Sequence, residues 1–179
     1  IPAPHQILNA LLVALCVAGG SATAQAPAAP GAGPGSVRSV DAAALVARAE
    51  DQLRREDPLG ARASFRALRE IEPEGVAAWV GLGRVELLLG RPEVAVGYAD
   101  RALDLDASDD AATALRIRAL IRARRFQDAV TYSARASSQP RSGVEVLAAH
   151  ASALFRTQQN DDARACYEQV VAREPLHAE

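Results

Sequence analysis

One alanine recurs with a period that few folds accommodate. Ala61, Ala95, Ala129 and Ala163 stand 34 residues apart, each inside the same local phrase. Pro58-Leu59-Gly60-Ala61-Arg62-Ala63 aligns with Pro92-Glu93-Val94-Ala95-Val96-Gly97, and Arg125-Phe126-Gln127-Asp128-Ala129-Val130 with Gln159-Asn160-Asp161-Asp162-Ala163-Arg164. Pro73 and Pro175 lie three periods apart; Ala107 holds the corresponding place in the second unit, and in the third the proline comes one residue early, at Pro140. The frame divides residues 42–179 into units 42–75, 76–109, 110–143 and 144–177.

Within that frame the second unit carries the fullest pattern: Trp79, Leu82, Gly83, Gly90, Ala95 and Ala102. These residues and the period resemble the tetratricopeptide repeat family, and the resemblance covers residues 42–179. It implies a pair of antiparallel helices per unit. Arg48, Arg116 and His150 depart from the family's leucine, and Ile117 from its small residue.

Side-chain size supports stacking of such pairs. Ala49, Gly83 and Ala151 on first helices, and the recurrent alanines on second helices, are small enough to let helix axes approach. Leu45, Trp79, Leu147, Phe65 and Tyr167 are large enough to fill the layers between units. One unit cannot bury its apolar face alone, so neighbours must stack. The expected fold is all-α, a right-handed α-solenoid of stacked antiparallel helix pairs, with first helices lining a concave groove. Ala and Leu, strong helix formers, dominate the apolar residues, whereas aromatics are only 4%.

Trp79–Gly90 also contains Gly81-x-Gly83, which looks like part of a phosphate-cradling loop. That chemistry needs a preceding strand and a glycine turn that opens a helix. Here the stretch lies within a helix flanked by helices, and Glu86 replaces the third glycine of the fingerprint. Gly83 is read as the close-contact position of a helix pair and Gly90 as the end of its first helix. Gly81 finds no role in the repeat pattern and costs helix stability relative to alanine.

Ahead of the repeats, Ile7–Ala18 is an uncharged apolar run followed by Gly19-Gly20 and Ser21-Ala22-Thr23-Ala24. The run is short for a spanning helix, and Ala22-x-Ala24 supplies the small residues of a cleavage site. Residues 1–24 are therefore expected to be a secretory signal cut after Ala24, with an uncleaved anchor as the alternative. The chain begins at Ile1 rather than Met, so a fragment or a misplaced start is expected, and the lack of Lys or Arg ahead of the run fits a basic segment lying upstream. Cys16 follows Leu15 rather than a small residue, which argues against lipidation. Residues 25–41, rich in Pro, Gly and Ala, read as a linker without regular structure, with Ser39 or Asp41 as the following N-cap. Ala178-Glu179 fall where a fifth unit would begin, and no polar capping helix follows the fourth, so a longer natural protein is expected.

A net charge of −2 gives no bulk attraction to nucleic acid or a membrane surface. Catalytic chemistry finds little to work with. His5 is in the signal segment, and His150 lies on a packing face. Cys166 lies on a second helix with no activating neighbour. Asp161-Asp162 reads as helix-starting acids. Asp104, Asp106, Asp109 and Asp110 lack the glycine and terminal Glu of a calcium loop and read as helix-ending and capping residues. No cofactor, metal or enzymatic activity is expected.

The groove is where the resemblance places an extended peptide or a partner helix. The ninth and thirteenth positions of first helices face it: Glu50, Arg54, Arg84, Leu88, Arg118, Arg122, Ser152 and Arg156. Five of the eight are Arg. Arg118 and Arg122 share one helix face with no acid between Ala111 and Arg125, so they repel by about 0.2–0.5 kcal/mol. A self-repelling stripe of Arg54, Arg84, Arg118, Arg122 and Arg156 points to an acidic or carboxylate-bearing partner, because Arg binds carboxylates bidentately. Solvated surface in an Arg-rich chain is the competing account. The family's clamp for chaperone C-termini uses Lys and Asn where this chain has Val46 and Glu50, so that clamp is absent. The expected function is a non-enzymatic scaffold for a partner polypeptide in the periplasm or cell envelope. The alternative is the N-terminal assembly or regulatory region of a larger envelope protein, such as a polysaccharide-secretion subunit or an enzyme.

Overall fold

Proline and aspartate set many of the helix starts. The computed structural model describes residues 34–139 and 142–173, with side chains from Asp41 onward. Eight helices follow one another: α1 (Pro34–Arg54), α2 (Pro58–Ile71), α3 (Val76–Leu88), α4 (Pro92–Leu105), α5 (Asp110–Arg122), α6 (Phe126–Ser137), α7 (Val144–Arg156) and α8 (Asn160–Arg173). Pro34, Pro58 and Pro92 take the first helical position, where the missing N–H costs nothing and the fixed φ suits a helix. Asp57 accepts from the Gly60 amide at 2.9 Å, and Asp109 from the Ala112 amide at 2.6 Å, as N-caps. Asp161 and Asp162 occupy the first turn of α8, where the helix dipole favours acids.

Second helices α2, α4, α6 and α8 begin at 58, 92, 126 and 160, and first helices α3, α5 and α7 at 76, 110 and 144. Each helix packs on its sequence neighbour, and each first helix also meets the next first helix: α1 on α3, α3 on α5, α5 on α7. This is an all-α solenoid. The backbone repeats even in its turns: Glu56, Gly90, Arg124 and Gln158, one after each first helix, all have positive φ, between 58 and 72°.

The core runs along the stack. Ala49, Ala61, Phe65, Leu68, Leu82 and Val85 are buried in the first half, and Ile117, Leu120, Ala129, Val146 and Ala153 in the second. Tyr167 occupies Phe65's place in the frame but is 42% exposed, because no described helix covers that face of α8.

Gly81, the residue without a role in the repeat pattern, proves to be packed against an aromatic ring. A Cβ there would lie 2.3 Å from a carbon of the Phe65 ring. Gly83 makes room for the Leu115 side chain of the next first helix, at 2.4 Å from a would-be Cβ, and only then for Tyr98 on its paired helix α4, at 3.4 Å. Its role thus extends from the pair to the stacking of units. Gly83→Leu is expected to overpack this contact and cost about 1–3 kcal/mol; an unchanged thermal midpoint would refute the assignment. Glu86 is another departure: it is buried in α3, with Arg62 Nη1 at 3.6 Å and Arg91 Nη1 at 3.4 Å. The matching positions of the third and fourth units hold leucine, Leu120 and Leu154.

One expectation needs correction. The linker was expected to reach residue 41 without regular structure, but α1 begins at Pro34, so Ser39 and Asp41 lie within the helix and do not cap it. The physical reason is that no proline follows Pro34 until Pro58, while Pro34 itself is suited to a first helical position. The expected signal segment 1–24, its cleavage after Ala24, and linker residues 25–33 lie outside the described residues, as do Pro140 and Pro175. No helix of the described residues is long and apolar enough to cross a membrane.

Candidate functional site

A solenoid translates its register. Residues at one position of each unit therefore line up on one face, and first helices bring theirs to a common groove of about 580 Å³. All of its lining comes from α1, α3, α5 and α7. It brings together Glu50, Arg54, Arg84, Leu88, Arg118, Arg122, Ser152 and Arg156, the eight residues singled out by position. Beside the ninth-position row runs a third row that was not anticipated: Leu53, Leu87 and Ile121, all half-buried. Its signal was present in the sequence, since these three stand at the twelfth position of successive units.

The five arginines differ in their company. Arg84 on α3 faces Glu50 on α1 fork to fork, with Nη1–Oε1 at 2.5 Å and Nη2–Oε2 at 3.2 Å. Arg54 reaches Asp51 on its own helix at 3.3 Å. Arg118, Arg122 and Arg156 make no ion pair among the described residues. Arg54, Arg122 and Arg156 lie in the last turns of their helices, where the dipole favours a cation by about 0.3–1 kcal/mol. Arg118 lies a turn earlier, so helix-end electrostatics does not account for it. Ser152 is already engaged: its hydroxyl donates to the Ala148 carbonyl at 2.9 Å and stands 3.1 Å from the Tyr167 hydroxyl.

Two of the residues departing from the family pattern, Arg116 and His150, find local partners. Arg116 donates through Nε to Asp100 at 2.6 Å and lies over the Tyr132 ring at 4.1 Å. His150 on α7 places Nδ1 2.8 Å from the Ser133 hydroxyl on α6. Burial lowers its pKa from the ordinary 6.5, partly opposed by the Asp162 carboxylate. A histidine whose folded pKa is depressed binds fewer protons folded than unfolded. Its penalty is absent above the unfolded pKa and grows as pH falls through 6.5 toward the folded value. The thermal midpoint should therefore fall between pH 7.5 and 5 by more in the native chain than in His150→Asn; equal losses would refute the assignment. Cys166 on α8 is half-buried, and burial, aided by Asp162, pushes its thiol up from 9.0, away from the reactive thiolate.

No sequence among curated proteins matches this chain. Solved structures do match in fold. The chain is similar to an O-GlcNAc transferase mutant of Thermobaculum terrenum, with 17% identity, TM-score 0.65, and coverage of 76% of this chain and 26% of the other. It therefore spans about a quarter of that protein's length. It is similar to TTC0263, a thermophilic TPR protein of Thermus thermophilus, with 17% identity, TM-score 0.68, and coverage of 76% and 75%. It is also similar to YrrB, described as a TPR protein with an unusual peptide-binding site, with 19% identity, TM-score 0.55, and coverage of 78% and 72%. At these identities the likeness concerns the fold. A family model for the tetratricopeptide repeat matches residues 46–112 and 148–179, more than half of the chain. With eight helices among the described residues in a 34-residue frame and first helices lining one groove, the chain belongs to the tetratricopeptide repeat family.

Proposed function

We propose that the chain is a non-catalytic interaction module that holds an acidic segment of a partner polypeptide in the groove of its first helices. The observation that carries this reading is that Arg118, Arg122 and Arg156 line the same groove as the apolar row, without carboxylate partners among the described residues. Guanidinium groups kept close at a repulsive cost, with no internal acid to satisfy them, provide ready bidentate donors for carboxylates. The groove fits a peptide better than a small anion: Leu53, Leu87 and Ile121 offer apolar contact along several units, and repeat solenoids use such extended concave surfaces for binding. A peptide-binding site in a protein of the same fold supports the reading. The test is fluorescence anisotropy of an acidic, leucine-containing peptide against the native chain, with the charge reversal of Arg118 and Arg122 as control. Saturable binding lost in the control supports the groove; binding indifferent to it would remove the proposal.

Export is proposed on the apolar run Ile7–Ala18 and the Ala22-x-Ala24 motif, placing the module in the periplasm or cell envelope. A second reading, that the array is the recognition part of a larger protein, draws support from the transferase of which this chain matches 26%.

A further inference from the structure

The groove is segregated along its length. At the α1–α3 end every groove arginine has a carboxylate, Arg84 with Glu50 and Arg54 with Asp51. At the α5–α7 end Arg118, Arg122 and Arg156 have none among the described residues. The apolar character is graded the opposite way. Leu88 stands where the other units hold Arg54, Arg122 and Arg156, and at 63% exposure it is a large apolar side chain left open beside Leu53 and Leu87.

Glu50 is the acid in this row of arginines. It occupies the same repeat position as Arg84, one unit earlier, and both of its oxygens meet both terminal nitrogens of that guanidinium. This is the geometry a bound carboxylate would adopt. Resting on the peptide-binding reading above, we propose that Glu50 acts as an internal carboxylate that occupies Arg84 and ends the anionic track there. The groove then selects a segment with two unlike halves. Acidic residues lie over Arg118, Arg122 and Arg156, and apolar residues lie over Leu53, Leu87 and Leu88. First helices in contact lie about 8–10 Å apart, and an extended chain advances about 3.3 Å per residue. About three residues therefore carry the ligand from one first helix to the next, and about nine span the groove.

The test uses the whole chain and three nine-residue peptides of equal composition. Two have their leucines at one end and their glutamates at the other, in opposite chain directions; the third alternates them. The segregated peptide is expected to bind about tenfold tighter in one direction, a difference of about 1.4 kcal/mol. Equal affinities overturn the proposal. An all-acidic peptide of the same length should bind Glu50→Gln about five- to tenfold tighter than the native chain, since one more guanidinium becomes available. Adding Arg84→Gln to Glu50→Gln should cancel that gain. Arg84→Gln alone should leave affinity within about twofold, while Arg118→Gln loses about tenfold. If Glu50→Gln changes nothing, or Arg84→Gln costs as much as Arg118→Gln, Glu50 does not end the track. The groove as a peptide site would survive that result. If none of these peptides binds the native chain, the peptide-binding reading falls, and this one with it. Glu50 and Arg84 are both solvent-accessible, and circular dichroism of each variant verifies that the helices remain.

Discussion

Arg118→Glu combined with Arg122→Glu is expected to abolish capture of acidic peptides, with a loss of at least about a hundredfold. Each guanidinium offers charge-assisted hydrogen bonds of about 1.5–3 kcal/mol, and about 2.7 kcal/mol already corresponds to a hundredfold. Reversal adds repulsion to the lost attraction. The fold should be spared. Both side chains are exposed in the groove, and neither makes an ion pair with another described residue. The repulsion between the two positions is exchanged for one of the same size, and Glu in the last turn of α5 costs only about 0.3–1 kcal/mol through the dipole. Peptide anisotropy with far-UV circular dichroism measures both halves of the statement. Arg118→Lys with Arg122→Lys is an informative companion: charge is kept but the bidentate fork is lost, so partial binding is expected. Full binding in the charge-reversed protein would refute the groove as the site.

Phe65→Ala is the substitution expected to cost most stability. The ring is 2% exposed and projects from α2 against Gly81 of α3. Removing it creates a cavity at a junction of two units, at about 3–5 kcal/mol. Gly81 makes the argument sharper. In a helix interior alanine is better than glycine by about 1 kcal/mol, yet Gly81→Ala should destabilise the native chain, because its methyl group would meet ring carbons at 2.3 Å. In the Phe65→Ala background the same change should stabilise, since the obstruction is gone and the methyl partly fills the void. Thermal unfolding of the four proteins reads this change of sign. A Gly81→Ala effect with the same sign in both backgrounds would mean that the ring does not determine the glycine.

Much of the fold was legible because a 34-residue period is carried by many residues at once, and local departures do not erase it. The groove positions were legible for the same reason: once the register is known, residues such as Arg118 and Arg122 are placed by translation. What escaped was relational. Glu50 and Arg84 were each assigned to the groove, but treating the face as a stripe of charges concealed that consecutive units present opposite signs at one position. Gly81 was opaque because its partner, Phe65, belongs to the preceding unit. Glu86 belongs in the same category, since its burial depends on Arg62 from α2 and Arg91 beyond the end of α3. The helical start at Pro34 was missed because its proline and glycine content was weighed as a composition rather than position by position.

The left-handed turns after the first helices bear on how the array opens. The same conformation is supplied by Glu56, Gly90, Arg124 and Gln158, so the packed helices on either side impose it, whatever the residue. Only glycine takes it without penalty; for a side chain it costs about 1–2 kcal/mol. The cost is thus spread unevenly: the second unit has a relaxed joint and the other three have tensed ones. In a stack held by nearest neighbours, units with lower intrinsic stability loosen first. Fluctuations should then begin in the first, third and fourth units and reach α3 and α4 last. Arg84, Leu87 and Leu88 thereby sit on the steadiest helix, while the unpaired arginines ride on α5 and α7, where the backbone yields more readily to an arriving chain.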